Sequence, residues 1–381
     1  MSETPPRTYA VLAGGGTVGH VAPALSIAHA LVARGHEPAS IHFVGSQRGM
    51  ESELVPPAGF RLTTLPGRGL VRKLTPKAMI ANLRALAGIA AATARAIGIV
   101  RRERPQVVVN LGGYASVPCT VAAVLLRVPI VGVSYDAVPG RASRLGARYA
   151  KANAVALPGS TLRRAVVTGA PVRPEVLALD NSPETRAKAR AELGLSVDAQ
   201  LVAVTSGSLG ARRVNEATLG LARLWADRTG RVIYQAVGKR DFPRISEAAA
   251  QLELTGLDYR PVEFEMRLPL LLAACDLAVG RAGASTIAEL SVIGVPSVLV
   301  PLPNAPADHQ TENARRLEEA GAAVLLPDGE CTPERLSVIL DGLLADPARL
   351  ETMRAAAASL GRRDAAERIA SLVEENGREA R

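Results

Sequence analysis

Short apolar runs alternate with longer segments of helical periodicity along most of the chain. Runs of four to six apolar residues are typical of buried strands, and apolar residues three and four apart are typical of helices. In the first half the predicted strands are residues 9–13, 40–45, 107–110, 130–134 and 154–157, with helices such as 23–34 and 117–126 between most of them. In the second half they are residues 201–205, 232–236, the region of Val262, 277–280, 297–300 and 323–326. This alternation predicts two series of βαβ units with parallel strands.

The two series are joined by residues 167–174, VTGAPVRP, where two prolines and a glycine interrupt any regular element. We take this segment as an interdomain hinge, since 381 residues suit two domains better than one. The expected domains are residues 8–168 and 169–350. A final helix is expected from residue 347 to about 374, and residues 351–381 are expected to rejoin the first domain.

Two glycine-rich turns occupy equivalent places in the two series, LAGGGTVGH at residues 12–20 and VTSGSLGA at residues 204–211. Each follows a predicted strand and opens a predicted helix, an arrangement that directs backbone N–H groups and the positive helix end at a phosphate. Neither turn has the GxxxxGK[ST] or GxGxxG spacing of ATP and dinucleotide sites. The pattern therefore favours a sugar nucleotide over ATP or NAD.

Composition narrows the class of protein further. The chain is 48% hydrophobic but only 3% aromatic, which predicts an aliphatic core and suits parallel sheets covered on both faces. The net charge of +9 favours an anionic ligand or surface, while the scarcity of aromatic residues disfavours nucleic acid. The three cysteines are scattered, which favours a reducing compartment, and the first residues lack the apolar core of a signal peptide. No window has the 18 uncharged apolar residues of a membrane span. We therefore expect a cytoplasmic protein without a membrane span.

A basic stripe accompanies the helix predicted at residues 78–100. On a helical wheel the side chains of Lys73, Lys77, Arg84, Arg95 and Arg102 fall within about 40° of each other. The stripe is either a solvated helix face or a surface that rests on anionic lipid, where each basic residue contributes about 1 kcal/mol. In the second case the membrane-facing residues are Leu70, Leu74, Lys77, Met79, Ile80, Leu83 and Arg84.

Six motifs, in this order and spacing, resemble the MurG family, the N-acetylglucosaminyltransferases that make lipid II for bacterial peptidoglycan. They lie at residues 14–25, 111–118, 137–140, 168–173, 207–212 and 281–289, and the resemblance runs from about residue 8 to residue 345. It implies an α/β protein of the GT-B class, with two Rossmann-like, doubly wound parallel-sheet domains facing a cleft. It also implies inverting transfer of N-acetylglucosamine from its UDP derivative to the muramoyl 4-hydroxyl of lipid I.

The resemblance assigns the donor to the C-terminal domain. The diphosphate would lie on Ser208 and on the helix opened by Gly283, Ala284, Ser285 and Thr286. Glu289 would accept hydrogen bonds from the ribose hydroxyls, unless its carboxylate only stabilises the positive N-terminal end of its helix. The sugar hydroxyls would meet His309 and Gln310, with Asp308 and Asn313 behind them, although Asp308 could simply cap its helix. Thr17, Gly19, Asp136 and Arg173 complete the expected donor set.

The resemblance assigns lipid I to the N-terminal domain, at Gly15, Gly16, Tyr114 and Ser116. The displacement needs a base opposite the leaving group, and His20 is the first candidate because its ordinary pKa is near neutral. Its alternative role is to donate a hydrogen bond to phosphate or to the loop. Neither an Asp-x-Asp motif nor clustered His and Cys residues suggests a metal, and no cofactor is expected.

The chain departs from the family pattern at three places, and its donor-side residues fit the family better than its acceptor-side ones. Residues 133–136 are VSYD where the family usually has His-Glu-Gln-Asn, Ser143 replaces an asparagine, and Val18 replaces a glycine. Asp136 is therefore either a second candidate base or a residue that alters which sugar or acceptor fits.

Two alternative functions stay open. One is a GT-B paralogue that glycosylates a diacylglycerol or a secondary metabolite, and the other is a non-catalytic nucleotide-sugar-binding scaffold of cell-wall assembly. The expected partners are UDP-N-acetylglucosamine, lipid I, the anionic inner leaflet at the cytoplasmic face of the cell membrane and cell-wall synthesis proteins, without nucleic acid.

Overall fold

The computed structural model of this chain describes residues 7–15, 18–47, 49–66, 76–207 and 210–378, and only the backbone of residues 18–20 and 76–87. The chain divides into two compact units. The first comprises the chain up to Arg173 together with the residues from Arg363 onward, and the second is Pro174–Arg362.

The first unit is built on a seven-stranded parallel sheet of order β3-β2-β1-β4-β5-β6-β7. Its strands are β1 (Ala10–Ala13), β2 (Ile41–Ser46), β3 (Arg61–Leu65), β4 (Val107–Asn110), β5 (Ile130–Ser134), β6 (Ala152–Val155) and β7 (Ala165–Val167). Its helices are α1 (Val18–Ala33), α2 (Glu51–Leu54), α3 (Pro76–Glu103), α4 (Ser116–Leu125) and α5 (Arg141–Ala147), with a 3-10 turn at Pro38–Ser40.

The second unit is built on a six-stranded parallel sheet of order β10-β9-β8-β11-β12-β13. Its strands are β8 (Gln200–Thr205), β9 (Arg231–Ala236), β10 (Asp258–Val262), β11 (Leu277–Gly280), β12 (Ser297–Leu299) and β13 (Ala323–Leu325). Its helices are α6 (Pro174–Leu177), α7 (Pro183–Glu192), α8 (Arg212–Leu224), α9 (Phe242–Ala250), α10 (Leu268–Ala274), α11 (Ala284–Ile293), α12 (His309–Glu319), α13 (Pro333–Leu344) and α14 (Pro347–Leu360). Two 3-10 turns lie at Pro306–Asp308 and Asp328–Glu330, and the last helix of the chain, α15 (Ala365–Asn376), belongs to the first unit.

Both sheets confirm the doubly wound α/β class. The central strands β1, β4, β8 and β11 are buried along their whole described length, apart from the ends of β8, because helices cover both faces. In each sheet the strand order reverses at one point, between β1 and β4 and between β8 and β11. Ligands of such sheets bind outside the carboxyl ends of the strands at this switch point.

The sequence missed two edge strands. β3 has the mixed sequence RLTTL and is mostly half-buried, and β7 has three residues, two of them exposed. β3 is not a continuous apolar run, and the apolar run of β7, AVV, is shorter than the four to six residues of a central strand, so periodicity gives no signal for them.

The expected final helix from residue 347 to about 374 is wrong, since the chain forms α14 and α15 with a break at Gly361. A Cβ at Gly361 would lie 2.5 Å from the Ser291 carbonyl oxygen, so the backbone passes closely over α11 here. The unit boundaries fall at 173/174 and 362/363 rather than at 168/169 and 350/351. Helix α14 stays with the second unit because it packs on α11 and α13.

Within the described residues, no helix is both long and apolar enough to span a membrane.

Candidate functional site

Two turns of the second unit lie side by side at its switch point. Thr205 at the end of β8 pairs with Gly280 at the end of β11, and the glycine turn and α11 follow these two residues. A Cβ at Gly280 would lie 2.8 Å from the Thr205 carbonyl oxygen, so glycine permits this close pairing. The strand register therefore brings together two segments that are about 75 residues apart in the chain.

The glycine turn after β8 is tightly folded. The Gly210 N–H donates to the Gly207 carbonyl at 3.1 Å, and the φ angle of Gly210 is +86°. A Cβ at Gly210 would lie 2.8 Å from Asp241 Oδ2 and 3.0 Å from the Val237 carbonyl oxygen. Only glycine combines this left-handed backbone with so close an approach.

A buried amide network supports this turn from behind. Asn215, fully buried on α8, accepts at Oδ1 from the Ser206 hydroxyl at 2.6 Å and from the Gln235 amide at 2.9 Å. Its Nδ2 donates to the Val237 carbonyl and to Asp241 Oδ2, each at 3.0 Å. Burial alone would raise the pKa of Asp241, but hydrogen bonds from Arg240 and Asn215 lower it. The turn is thus held by satisfied, desolvated groups.

A cavity of about 770 Å³ opens beside the turn. It is lined by Ser206, Gly207, Gly210, Ala211, Arg212, Arg213, Glu216, Arg240, Arg281, Leu302, Pro303, Gln310 and Asp328. Arg281 Nη1 contacts Asp328 Oδ1 at 2.6 Å and the carbonyl oxygens of Val300 and Pro301 at 3.1 and 3.0 Å. Among the described residues Arg213 makes no ion pair, so the cavity has positive charge available for an anion.

Helix α11 begins at the same edge of the sheet. Gly283 precedes it with extended backbone and, being glycine, supplies no side chain to cap its first N–H groups. Gly283, Ala284, Ser285 and Thr286 are all partly exposed, and the first N–H groups of a helix have no partner within the helix. Glu289, one turn further, is 9% exposed. The first turn of α11 therefore offers donors to an anion, with a carboxylate behind it.

Helix α12 contributes side chains with different tasks. Gln310 lines the cavity, and its Oε1 accepts from the Leu302 N–H at 3.0 Å. His309 is partly exposed. Asp308 does not cap the helix with its side chain, because Oδ1 accepts from the Thr311 hydroxyl instead. Asn313 is 1% exposed and donates to the Ala282 carbonyl at 3.0 Å, so it positions the start of α11 rather than reaching a ligand.

In the first unit, two glycine turns touch at the switch point between β1 and β4. A Cβ at Gly113 would lie 2.5 Å from the Gly15 carbonyl oxygen, and Gly113 has a φ of +78°. Asn110, buried at the end of β4, accepts from the Gly112 N–H at 2.9 Å. The Ser116 side chain is buried and its hydroxyl donates to the Gly113 carbonyl at 2.9 Å. Ser116 therefore holds the turn in place.

Tyr114 ties the same turn to the end of β3. Its hydroxyl donates to the Pro66 carbonyl at 2.9 Å, and burial raises its pKa. The phenol is therefore protonated at neutral pH and acts as a hydrogen-bond donor.

A carboxylate that the sequence did not single out lies against the first glycine turn. Glu51, at the start of α2, is 2% exposed, and its Oε1 accepts from the Ser46 N–H at 3.0 Å. Its Oε2 is buried with no hydrogen-bond partner among the described residues. A Cβ at Gly15 would lie 2.2 Å from Glu51 Oε1. The only sequence signal is an acidic residue in the first turn of a helix near the end of β2.

The segment that departs from the family pattern follows β5. Val133, Ser134 and Tyr135 are buried, and the Tyr135 hydroxyl has no hydrogen-bond partner among the described residues. Asp136 is partly exposed. Of the four substituted positions, Asp136 is thus the one whose side chain is accessible.

Several expected site residues lie outside what the structure describes. Gly16, Thr17, Leu70, Leu74 and Ser208 are not described. Only the backbone is described for Gly19 and His20, in the first turn of α1, and for Lys77, Met79, Ile80, Leu83 and Arg84 in α3. Arg173 is partly exposed at the end of the first unit. Within the described part of the chain, no three His, Cys, Asp or Glu residues could hold a metal together.

Comparison with known proteins identifies the family. Residues 10–155 match the N-terminal domain of glycosyltransferase family 28, and residues 201–369 match its C-terminal domain. A UDP-N-acetylglucosamine-N-acetylmuramyl-(pentapeptide) pyrophosphoryl-undecaprenol N-acetylglucosamine transferase of Streptomyces coelicolor is 40% identical over 96% of this chain and 98% of its own. The transferase of the same name from Desulforudis audaxviator is 37% identical over 96% and 97%.

Solved structures agree with this result. The crystal structure of Acinetobacter baumannii MurG superposes with a TM-score of 0.76 at 25% identity, over 97% of this chain and 99% of its own. A UDP-GlcNAc 2-epimerase of Neisseria meningitidis shares the fold alone, with a TM-score of 0.64 at 11% identity over 97% and 100%. The GT-B architecture and the resemblance to the MurG family are confirmed. The chain belongs to glycosyltransferase family 28, within the family of the UDP-N-acetylglucosamine-N-acetylmuramyl-(pentapeptide) pyrophosphoryl-undecaprenol N-acetylglucosamine transferases.

Proposed function

We propose that the chain transfers N-acetylglucosamine from UDP-N-acetylglucosamine to the muramoyl 4-hydroxyl of lipid I, which gives lipid II and UDP. The observation that carries this proposal is the pairing of Thr205 with Gly280, because it brings the glycine turn and the start of α11 to one edge beside a basic cavity. Membership of the transferase family supports the identity of the donor and the acceptor.

The donor binds to the second unit. Its diphosphate lies on the glycine turn at Ser208 and on the N–H groups of residues 283–286, where the helix dipole favours negative charge. Glu289 accepts hydrogen bonds from the ribose hydroxyls, and Gln310 and His309 contact the sugar. Arg281 and Arg213 supply positive charge at the cavity wall. Thr17, Gly19, Asp136 and Arg173 complete the donor contacts.

The acceptor binds to the first unit, at the turns that carry Gly15, Gly16 and Tyr114, with Ser116 holding the second turn. The 4-hydroxyl oxygen attacks C1 of the sugar, the bond from C1 to the diphosphate oxygen breaks, and the configuration inverts to β. The hydroxyl proton passes to a general base. We assign this base to His20, in the first turn of α1 directly after the glycine turn, and keep Asp136 as the second candidate.

The leaving diphosphate gains negative charge as the bond breaks. The N–H groups at the start of α11 are fixed before the reaction, so they stabilise this charge without reorganisation. The same donors hold the substrate, and their contribution to the rate comes from the stronger bonds that they make in the transition state.

We also propose that residues 70–84 dock the enzyme on the anionic cytoplasmic face of the cell membrane, near its lipid substrate. The net charge of +9 and the apolar and basic residues of this segment support the docking. Salt-dependent binding to anionic vesicles tests it, since a protein held by charge dissociates from the vesicles as ionic strength rises. Vesicle binding that is independent of salt and of anionic lipid would contradict it.

The transfer itself is tested by measuring UDP release from UDP-N-acetylglucosamine with and without a lipid I analogue. The variants are His20→Ala, Asp136→Asn and Glu289→Ala, with His29→Ala and Glu247→Ala as exposed controls on α1 and α9. We expect UDP release only with the analogue, loss of donor affinity in Glu289→Ala and loss of turnover with donor affinity retained in His20→Ala. Both controls keep wild-type rates.

The other outcomes separate the alternatives. Calorimetric binding of UDP without turnover of the analogue would point to another acceptor or to a non-catalytic role. Turnover retained in His20→Ala but lost in Asp136→Asn would move the base to Asp136. Unchanged donor affinity in Glu289→Ala would remove this residue from the donor site.

A further inference from the structure

A second cavity, of about 960 Å³, lies in the first unit, where helices α3 and α4 and the chain after α15 end. It is lined by Arg7, Val100, Arg101, Arg104, Pro105, Gln106, Leu126, Arg127, Val128 and Arg378. Five of these residues are arginines and none is acidic. This composition differs from that of the second-unit cavity, where Glu216 and Asp328 balance part of the charge.

Backbone hydrogen bonds hold the walls of this arginine cavity together. The Arg378 N–H donates to the Gln106 carbonyl at 3.1 Å, and the Arg378 guanidinium donates to the Leu126 carbonyl at 3.3 Å. The Gln106 N–H donates in turn to the Tyr9 carbonyl at 2.9 Å. The cavity is therefore built by four distant chain segments, joined at the edge where the strands begin.

Part of the positive charge is uncompensated. Arg101, Arg104 and Arg127 are exposed and make no ion pair with any described residue. The nearest carboxylate in sequence, that of Glu103, bonds instead to Thr8, Arg61 and Arg102. Three helix C-termini contribute roughly −0.5 charge each, which offsets about half of the guanidinium charges of Arg101, Arg104 and Arg127.

Two of the arginines occupy unfavourable backbone positions. Arg104, directly after α3, has a φ of +46°, and Arg127, two residues after α4, has a φ of +55°. Glycine or asparagine is the usual residue with this conformation at a helix C-terminus. A side chain with a Cβ is disfavoured in this left-handed region. Residues in this conformation cost about 1–3 kcal/mol each and occur more often at ligand-binding sites than elsewhere.

We propose that the arginine cavity binds an anion that carries two or more phosphate groups. Guanidinium groups bind phosphate oxygens in pairs of parallel hydrogen bonds, and five of them around one cavity suit an extended polyanion better than a single phosphate. The buried Val100, Pro105 and Val128 give the cavity an apolar floor. The same chemistry is offered by a soluble polyphosphate and by the headgroups of a phospholipid surface.

This cavity is separate from the sites proposed above. The donor cavity lies in the other unit. The segment expected at the membrane ends at Arg84, seventeen residues before Arg101 on α3, which corresponds to about 26 Å along the helix.

The test is a calorimetric titration of inorganic tripolyphosphate into the full-length protein with saturating UDP, so that the donor cavity is filled. Arg104→Gly/Arg127→Gly removes two cavity charges and places glycine where the backbone favours it, so the fold is retained. Arg163→Gln/Arg164→Gly is the charge-matched control, because both side chains are exposed outside the cavity and Arg164 also has a positive φ, +53°. Thermal unfolding verifies that both variants fold.

We expect one tripolyphosphate site whose Kd rises at least tenfold in Arg104→Gly/Arg127→Gly and stays unchanged in the control. In a second arm, sedimentation with phosphatidylglycerol vesicles compares the same two variants. Vesicle binding weakened only by the cavity variant, without tripolyphosphate binding, would identify a lipid headgroup as the ligand. Equal behaviour of both variants in both arms would overturn the proposal.

Discussion

The Asn313 amide donates to the Ala282 carbonyl at 3.0 Å, and this bond joins helix α12 to the residue two positions before α11. Both groups are buried. The bond fixes the point at which the chain turns from β11 into the helix that we propose to hold the donor diphosphate. A residue expected behind the sugar-binding groups is thus a positioning residue for the phosphate end.

Replacement of Asn313 by alanine should therefore weaken both the fold and donor binding. The Ala282 carbonyl would lose a buried donor, which costs about 1–3 kcal/mol in the free energy of unfolding. We expect the KM for UDP-N-acetylglucosamine to rise several-fold while kcat changes less. Urea unfolding and steady-state kinetics measure the two effects. Asn304→Ala, at an exposed position of the preceding loop, is the matched control.

Replacement of Gly15 by alanine should displace the Glu51 carboxylate. The new Cβ would lie 2.2 Å from Glu51 Oε1, in addition to the strain of a φ of +126°. Gly35→Ala is the control for strain alone, because Gly35 has a φ of +102° with nothing within 4 Å of the new Cβ. We expect Gly15→Ala to lose at least tenfold in activity and Gly35→Ala to lose stability only. Equal loss of activity in both variants would show that backbone strain, and not the contact with Glu51, causes the loss.

Stability at acidic pH should depend on His42. Burial, together with Arg61, lowers the pKa of His42 from 6.5 to about 4. The folded chain therefore binds fewer protons here than the unfolded chain between these values. The contribution of His42 to the free energy of unfolding is complete above pH 6.5. It is lost as the pH falls towards 4, by about 3 kcal/mol in total.

This prediction is tested with His42→Gln, whose amide can keep the contact to Thr63. The unfolding free energy of this variant should fall less between pH 7 and pH 4.5 than that of the wild type, whereas the exposed His29→Gln should match the wild type. Circular dichroism is the suitable probe, because the one tryptophan, Trp225, lies in the other unit. Parallel pH profiles for wild type and His42→Gln would contradict the assignment.

Replacement of Asp328 by asparagine should loosen Arg281 at the cavity wall. Asp328 Oδ1 is the only charged group that the described residues offer to Arg281 Nη1, whose other acceptors are the carbonyls of Val300 and Pro301. We expect a loss of about 1–3 kcal/mol in stability and a several-fold rise in the Kd for UDP. Glu330→Gln, an exposed position on the same turn, should change neither value. Lower stability with unchanged UDP affinity would exclude Arg281 from the donor site.

Much of the fold was predictable because the central strands are buried on both faces. Strands β4, β5 and β11 lie where the apolar runs predicted them, residue for residue. The glycine turns also lie where expected, because a left-handed or closely packed backbone requires glycine, and glycine is recognisable in the sequence. The edge strands β3 and β7 give no such signal, because the half-buried β3 carries mixed residues and β7 has only three residues.

The sequence alone determined the two parallel-sheet units, the two glycine turns and the family motifs, because these depend on local periodicity and on residues close together in the chain. Only the tertiary structure decided that Glu51 lies under Gly15, that Asn215 supports the turn after β8, and that five arginines from separate segments share one cavity. It also decided where α14 ends and α15 begins. These features depend on contacts between distant segments, and strand register and helix packing, rather than local preference, determine which side chains meet.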